Sequence, residues 1–331
     1  MSLFVSPTRV DLAGGTLDCW PLYVFSSGAQ TINLAISVFT RVELVAKDTP
    51  QVDVWIEDLK YKKVFKKAQD LLDCPDRELD LVRAQIRYWQ PSQGFILHTR
   101  SESPVGGGLG GSSSLCISLI KAFSHLQQRQ LSTLEQVTLA HNLEAEVLRK
   151  PTGTQDYFPA IEPGLNIIHY TADGPRLETL DCPVDYFASR MLLVYTGQPH
   201  HSGLNNWQVI KAVIDGHEPT LNALKEIKLI GDQMATVCRK QDWAQLPQLF
   251  REEFTARVKL SAGFSSTRIE KLEKISLEAG ADAVKICGAG GGGCVLIWCQ
   301  PERKGLVSQV CQKNGFQVLD AAPVTENQRL D

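Results

Sequence analysis

A glycine-rich stretch in the first third of the chain has the residue types that bind phosphate. It reads PVGGGLGGSSS from Pro104 to Ser114, after a segment with a strand pattern and before one with a helix pattern. Glycines let several backbone N–H groups approach an anion, and a helix N-terminus adds partial positive charge. We therefore predict that this loop binds nucleotide phosphates through eight residues: Gly106, Gly107, Gly108, Leu109, Gly110, Gly111, Ser112 and Ser113.

Other interpretations of this loop have to be weighed. Gly106 and Gly111 have Walker A spacing, but Ser112 stands where that motif needs lysine, which excludes a P-loop. The loop also satisfies GxGxxG, which in a dinucleotide-binding fold is followed about 20 residues later by a strand that ends in an acidic residue. Residues 131–146 have a helical pattern instead. A dinucleotide-binding oxidoreductase and a flexible turn with an N-cap serine stay as alternatives.

A second glycine run lies near the end of the chain, from Lys285 to Cys294. It too matches GxGxxG, but an apolar strand pattern follows it, so it is not a Rossmann turn. Glycines between strands allow close approach of a ligand or of another backbone. A binding role and a packing role both remain open for this loop.

Hydrophobic periodicity places these loops in a mixed α/β chain. Strand patterns occupy 31–45, 52–56, 94–99, 165–170, 191–195, 283–286 and 294–298. Helical patterns occupy 113–127, 219–239, 243–258 and 265–279, and residues 62–72 are rich in helix formers. A further helix should begin near Ser132, because Ser132 and Glu135 form a capping box, and end near Arg149. We place a domain boundary near residue 185, which predicts domains at 1–185 and 186–331.

Composition and net charge argue against nucleic-acid binding and membrane association. A chain of 331 residues with 43% hydrophobic and 21% charged residues is typical of a globular protein with two domains, or with one unusually large domain. The net charge of −3 leaves no basic surplus for nucleic acid. We expect no membrane association, because a helix that spans a bilayer needs about 20 consecutive apolar residues and no apolar run in the sequence is nearly that long. We also expect no signal peptide.

Cysteine usage indicates the compartment. The nine cysteines are scattered and include no CxxC pair, so a zinc site or a disulfide framework is not expected. This pattern favours a cytoplasmic protein, which we expect to be a monomer or a homodimer that acts on a small molecule.

Three segments, taken in order, resemble the GHMP kinases, the family of galactokinase, homoserine kinase, mevalonate kinase and phosphomevalonate kinase. The first is SPTRVDLAGG from Ser6 to Gly15, the second is the loop at 104–114, and the third is the run at 285–294. The resemblance is greatest to the bacterial heptose-7-phosphate kinase branch, on the segments 9–18, 153–157 and 196–202.

The resemblance implies a fold and an activity. The fold is a two-domain α/β structure, with an N-terminal domain similar to the second domain of ribosomal protein S5 and a ferredoxin-like C-terminal domain. ATP and Mg²⁺ would be the cofactors, and a hydroxyl of a sugar or sugar phosphate would be the acceptor. A mevalonate- or homoserine-type kinase and a catalytically silent sugar sensor are the alternatives, and retention of Asp156 and Arg9 argues against the sensor.

The resemblance also implies catalytic and metal-binding residues. Asp156 follows a turn that contains Pro151 and Gly153, and it matches the catalytic aspartate of the family; the alternative is that it simply caps a following turn. Arg9 would orient Asp156 or stabilise phosphate oxygens. We predict Ser112 and Glu146 as Mg²⁺ ligands because a hard cation prefers oxygen. Glu144, on the same predicted helix, is expected to be the solvated partner.

Acceptor binding is the last inference from the resemblance. Asp18 matches the aspartate that holds sugar hydroxyls, and a carboxylate can accept two such hydrogen bonds. Gly15 replaces the sugar-binding glutamate of galactokinases, which argues against galactose. His200 and His201 are candidates for substrate contacts or for plain surface. The remaining predicted acceptor-binding residues are Gly14, Gly15, Thr154, Gly288, Ala289, Gly290 and Gly291.

Overall fold

A computed structural model describes residues 2–199, 202–288 and 290–325, and its first half is built on one mixed sheet. The seven strands of this sheet are β1 (Ser2–Ala13), β2 (Gln30–Ala46), β3 (Val52–Ile56), β4 (Tyr61–Phe65), β5 (Phe95–Ser101), β6 (Leu165–Thr171) and β7 (Gly174–Leu180). The helices of this half are α1 (Leu22–Phe25), α2 (Ala68–Leu72), α3 (Asp80–Trp89), α4 (Gly111–Leu126), α5 (Thr133–Leu148) and α6 (Tyr157–Ile161).

The second half contains a smaller antiparallel sheet. Within the described residues, five longer helices and one short helix accompany it. Its strands are β8 (Met191–Tyr195), β9 (Ala281–Ile286), β10 (Cys294–Cys299) and β11 (Gln317–Leu319), in the order β11-β8-β10-β9. Its helices are α7 (Val184–Arg190), α8 (Ser202–Ile214), α9 (Glu218–Lys240), α10 (Leu246–Val258), α11 (Thr267–Glu278) and α12 (Pro301–Lys313).

The long strand β2 organises the first sheet. It pairs along most of its length with β1 on one side, and on the other side with β5 at its C-terminal end and β6 at its N-terminal end. The sheet order is β4-β3-β5-β2-β6-β7, and β3 and β5 are the parallel pair. The β-branched residues along 31–45 suit this central position, and the strand predicted there is confirmed.

Helix α4 holds the first glycine loop against the sheet. Its buried face includes Cys116, Ile117, Leu119, Ile120 and Phe123, and it packs on β1 and β2. Because the helix is pinned by this apolar face, its N-terminus and the loop before it have a defined position. The helix predicted at 113–127 is confirmed, with a start two residues earlier.

One prediction about secondary structure is only half right. Residues 62–72, which are rich in helix formers, divide into strand β4 and the short helix α2. In the strand, burial alternates and Phe65 faces the core, because pairing with β3 outweighs the helix propensity of Lys62 and Lys63. The capping box of Ser132 and Glu135 is confirmed at the start of α5.

The strands of the two sheets separate near the predicted domain boundary, but the chain does not divide cleanly there. The first sheet ends at Leu180 and the second begins at Met191, on either side of residue 185. Residues 322–324, in the predicted second domain, return to β2: Ser37 N–H donates to Ala322 O at 2.8 Å. The boundary at 185 therefore stays a prediction. No helix in the described residues is long and apolar enough to cross a membrane.

Four buried charges join the two halves, and we call them the buried charge cluster: Asp11 on β1, Glu253 and Arg257 on α10, and Lys285 on β9. Arg257 donates from Nη2 to Asp11 Oδ2 at 3.0 Å and from Nε to Glu253 Oε1 at 2.7 Å. Lys285 Nζ lies 3.5 Å from Glu253 Oε2 and donates to the backbone carbonyl of Asp11. Two carboxylates thus balance two cations at the junction.

This balance predicts a large stability effect for one carboxylate. We expect Glu253→Ala to lower the free energy of unfolding by about 3–5 kcal/mol, because it leaves two buried cations, Arg257 and Lys285, with Asp11 as the one remaining carboxylate of the cluster. Urea unfolding measures the change. The matched control is Glu252→Ala, a neighbour whose contact to Gln248 is at the surface and whose loss should cost within about 0.5 kcal/mol. Equal effects of the two variants would contradict a stabilising role for the cluster.

Candidate active site

A cavity of about 510 Å³ lies where residues of both halves meet. Its walls come from β1, the first glycine loop, the segment 152–156, α10 and the second glycine loop. Its lining combines charged side chains, such as Arg9, Asp18 and Asp156, with apolar side chains from β3, α3, α4 and α5, and we call these two sets the polar part and the apolar part of the cavity. The cavity thus brings together residues that are separated by almost 280 positions in the chain.

The first glycine loop has a backbone that glycine favours. Gly106, Gly108 and Gly110 have φ of +63°, +72° and +71°, in the left-handed region. A Cβ at Gly110 would lie 3.1 Å from the Asp156 carboxyl carbon, and one at Gly111 would lie 2.7 Å from the Ser103 hydroxyl. The loop therefore has no side chains at the glycine positions that border the cavity. It leads directly into the 16-residue helix α4.

Leu109 differs from the other residues of this loop. Its side chain is fully buried in the core and does not line the cavity. Its carbonyl accepts the Arg9 N–H at 3.0 Å, which fixes the loop to β1. The Leu109 side chain therefore anchors the loop in the core, and the predicted phosphate contact, which rests on backbone N–H groups, stays a prediction.

Arg9 connects Asp156 to both glycine loops. Its Nε and Nη2 lie 2.7 and 2.6 Å from Asp156 Oδ1. Its Nη1 donates to the carbonyls of Gly108 at 2.7 Å and Cys287 at 2.9 Å. Burial alone would lower the pKa of Arg9, but the charges of Asp156 and Asp11 outweigh it, so the pKa is raised and the cation is retained.

Asp18 lies in the same cavity as Asp156. Its Oδ2 accepts the backbone N–H of Gln155 at 3.1 Å, and a Cβ at Gly153 would overlap its carboxylate. Burial, and next the charge of Asp156, raise the pKa of Asp18 to about 6, and the Gln155 N–H partly offsets the rise. The turn at Gly153 therefore brings the backbone against Asp18 and the Asp156 side chain into the cavity.

The structure corrects the predicted carboxylate for the metal. Glu144 lines the cavity, is buried, and accepts a hydrogen bond from Ser113 Oγ at 2.7 Å. Burial raises the pKa of Glu144, and the hydrogen bond from Ser113 opposes the rise. Glu146 is exposed and pairs with Arg87 on α3, so its prediction as a metal ligand is wrong.

Helix geometry explains this correction. Residues two apart on a helix point in different directions, so Glu144 and Glu146 cannot share a face. Buried Ala140 and Val137 stand four and seven residues before Glu144, which places Glu144 on the inward side of α5. Helical periodicity of the apolar residues was the signal that could have selected Glu144.

The glycines predicted to contact the acceptor after β1 have packing roles instead. Neither Gly14 nor Gly15 lines the cavity. Gly14 has φ of +86°, and a Cβ there would overlap the carbonyl of Gln30. A Cβ at Gly15 would overlap the Asp11 carboxylate. Both glycines are needed because the turn passes tightly over β2 and the buried charge cluster, so a direct acceptor contact is contradicted.

Of the other residues predicted to contact the acceptor, some line the cavity and some do not. Gly288 lines the cavity, whereas Gly290 and Gly291 do not, because they pack against the backbone of Phe264 and Gly263. Thr154 does not line the cavity either; its hydroxyl is buried near the Tyr170 hydroxyl and has no hydrogen-bond partner within the described residues. The predictions for Gly290 and Gly291 are therefore contradicted, and the prediction for Thr154 stays a prediction. Those for Ala289, His200 and His201 lie outside the described residues.

Sequence reasoning missed two groups of cavity residues. The apolar part is lined by Ile56, Leu81, Leu115, Leu119 and Val147, from β3, α3, α4 and α5. The polar part also contains Thr16, Gln155 and Arg257. Gln155 lay inside a segment already identified by resemblance, but nothing in the sequence connects Arg257 with Thr16, 241 residues away.

Comparison with known proteins agrees with this geometry. Residues 77–164 match the GHMP kinases N terminal domain, and residues 234–315 match the GHMP kinases C terminal domain. The D-glycero-alpha-D-manno-heptose 7-phosphate kinase of Campylobacter jejuni is 25% identical over 321 residues, which cover 94% of this chain and 93% of that protein. The mevalonate kinase of Thermococcus gammatolerans is 25% identical over 297 residues, with 85% and 84% covered.

A solved structure shows the same fold. The D-glycero-D-manno-heptose 1-phosphate kinase from Bacteriodes thetaiotaomicron superposes with a TM-score of 0.78 at 21% identity, over 98% of this chain and 96% of that one. The chain belongs to the GHMP kinase family, and the predicted two-domain fold is confirmed. It is an ATP-dependent small-molecule kinase.

The raised pKa of Asp18 predicts a stability cost at neutral pH. A carboxyl group whose pKa is raised on folding stabilises the fold fully below its unfolded pKa, near 3.8, and that contribution is lost as pH rises through about 6. Asp18→Asn, which cannot ionise, should be more stable than the wild type by up to about 3 kcal/mol near pH 8.

Urea unfolding at pH 4.5 and pH 8 measures this difference, which should shrink at the lower pH. Asp173→Asn is the control, because the Asp173 side chain is 83% exposed. A loss of stability in Asp18→Asn at pH 8, or a gain that is the same at both pH values, would contradict the burial argument.

Proposed function

We propose that this kinase transfers the terminal phosphate of ATP to a hydroxyl group of a sugar or sugar phosphate, with a heptose phosphate as the first acceptor to test. The observation that carries the proposal is the position of Asp156. Its side chain occupies the space beside Gly110 that a Cβ there would need, is held by Arg9, and lies close enough to Asp18 for the two charges to interact. Phosphate donor and sugar acceptor can therefore meet at one carboxylate.

Asp156 is proposed to receive the proton of the acceptor hydroxyl. Both contacts from Arg9 are made to Oδ1, so Oδ2 is the oxygen that can face the acceptor. Arg9 holds the carboxylate in place and keeps positive charge beside the transferred phosphoryl group. In-line transfer asks the protein chiefly for such positioning and charge stabilisation.

The nucleotide is proposed to occupy the rest of the cavity. The glycine loop leaves room for phosphate oxygens near its backbone N–H groups and the N-terminus of α4. The apolar part lined by Ile56, Leu81 and Leu115 suits a flat base, because ligand pockets bury most of a ligand against apolar side chains. The two parts are continuous, as a molecule with both features requires.

A magnesium ion fits beside the loop. Ser112, Ser113 and Glu144 offer hydroxyl and carboxylate oxygens, which this hard cation prefers, and it can keep water as its other ligands. In the described ranges no group of three or more His, Cys, Asp and Glu side chains forms a metal site made of protein alone. When bound, the ion supplies neutralisation of phosphate charge.

The location is proposed to be the cytoplasm. All nine cysteines are unpaired, and eight of them are buried. Unpaired thiols in this number are typical of a reducing compartment.

An ADP-release screen tests the acceptor class. The panel contains heptose 7-phosphate, free hexoses, hexose 6-phosphates and mevalonate, the last because mevalonate kinases are relatives of similar identity. We expect the highest kcat/KM with a sugar or sugar phosphate. ADP release with mevalonate alone would replace this proposal by the mevalonate-type alternative.

The proposed role of Asp156 predicts a specific kinetic change. Asp156→Asn should lower kcat by about 10²–10⁴-fold, because a positioned proton acceptor is lost, and should keep the ATP affinity. Steady-state kinetics and nucleotide calorimetry measure the two effects. Asp215→Asn, at an exposed position, is the control. Turnover within a few-fold of the wild type in Asp156→Asn would end this assignment.

The two glutamates of α5 form a matched pair for the metal. Glu144→Gln should raise the Mg²⁺ concentration for half-maximal activity by at least about 10-fold, because a carboxylate that supports the ion is lost. Glu146→Gln should leave that concentration unchanged, since Glu146 pairs with Arg87 outside the cavity. Activity is titrated against Mg²⁺ at saturating ATP. An equal response of the two variants would contradict a metal role for Glu144.

A further inference from the structure

The turn that carries Asp18 contains a strained residue. Thr16 has φ of +78°, in the left-handed region, although it is β-branched. Such a residue is an outlier, and it persists only where the surroundings hold it. Thr16 is 5% exposed and lines the cavity two residues before Asp18.

Arg257 holds the Thr16 hydroxyl from the other half of the chain. Its Nη1 donates to Thr16 Oγ1 at 3.4 Å, while Asp11 and Glu253 hold the rest of the guanidinium. Arginine can only donate hydrogen bonds, whereas a hydroxyl both donates and accepts. Because Thr16 accepts from Arg257, its own hydrogen is directed elsewhere and can be donated to a group in the cavity.

Gln155 offers a second polar group in the same place. It is 5% exposed and lines the cavity. Its backbone is committed, since its N–H bonds Asp18 and its carbonyl accepts from Asn33 Nδ2 at 3.1 Å. Its side-chain Oε1 is buried and has no hydrogen-bond partner within the described part of the chain. A buried polar atom of this kind is usually satisfied, so a bound ligand is the natural partner.

We propose that Thr16 and Gln155 complete the acceptor subsite of Asp18, and that Arg257 is the positioning residue that orients the Thr16 hydroxyl. This inference rests on the proposed function, because it names the chemistry that selects the acceptor. Thr16 supplies a donor, Asp18 an acceptor, and the Gln155 amide both. A polyol with neighbouring hydroxyl groups satisfies all three, since each hydroxyl donates and accepts.

The same pattern selects against acceptors with one hydroxyl group. Such a molecule leaves part of the subsite unpaired, and sites built to hydrogen-bond a hydroxyl reject analogues that lack it. The subsite therefore favours a sugar ring whose adjacent hydroxyls contact these residues, while another hydroxyl faces Asp156.

The test compares Thr16→Val with Thr16→Ser. Valine keeps the shape and the β-branch of threonine, so it removes the hydroxyl without changing the backbone strain. Kinetics are measured with the most active acceptor among D-mannose, mannose 6-phosphate and heptose 7-phosphate. We expect Thr16→Val to raise the acceptor KM about 10-fold or more and to change the ATP KM less than 2-fold. Thr16→Ser should rescue most of the loss.

Two further measurements separate positioning from a structural effect. Arg257→Lys keeps the buried charge but shortens its hydrogen-bonding reach. It should raise the acceptor KM in the wild type and have little further effect in the Thr16→Val background, because it acts through that hydroxyl. Thr255→Val, at an exposed position on the same helix α10, is the control and should change neither KM. Thermal unfolding of each variant checks that the fold is retained.

The possible outcomes distinguish a failure of the proposed subsite from a failure of the proposed kinase function. If no sugar or sugar phosphate stimulates ADP release by the wild type, the proposed function fails and this inference falls with it. If sugars are phosphorylated but Thr16→Val keeps the acceptor KM of the wild type, the function stands and this inference is wrong. A rise of both KM values together in Thr16→Val would also overturn it, since a general distortion of the cavity would then explain the loss.

Discussion

The site depends on the contacts of one guanidinium group. Arg9 binds Asp156 through two nitrogens and the carbonyls of Gly108 and Cys287 through the third, so it fixes a carboxylate and both glycine loops at once. A planar fork of donors suits this task, whereas a lysine could not reach all of these partners with defined geometry. The positive charge of Arg9 can be buried because the negative charges of Asp156 and Asp11 compensate it.

The part of the cavity around Asp18 and Thr16 has features that cost stability. Asp18 is buried near a second carboxylate, and Thr16 has a backbone conformation that its side chain disfavours. The buried charge cluster on α10 and β9 holds this turn from the opposite half of the chain. Strain and unfavourable burial are thus concentrated at the place where a polar ligand would contact the protein.

Local sequence patterns correctly predicted several helices and strands whose formation depends mainly on neighbouring residues in the chain. The helix after the first glycine loop, the capping box of Ser132 and Glu135, and the central strand at 31–45 are as expected. The error at residues 62–65 arose because pairing with β3, a contact between strands, outweighed helix propensity. Glu144 lies on the inward face of α5 and Glu146 on its outer face, a difference that the apolar spacing of the helix indicates but the family resemblance does not.

The family and the kinase activity could be predicted from three short motifs, and the turn of the first glycine loop from its glycines, because these features are local in the chain. Which glycines border the cavity and which permit close packing, as at Gly14 and Gly290, depends on contacts between distant segments that no local pattern shows. The tertiary structure also decided that Arg257 meets Thr16. Such contacts join residues that are distant in the chain, and they exist only after the two sheets and their helices have packed together.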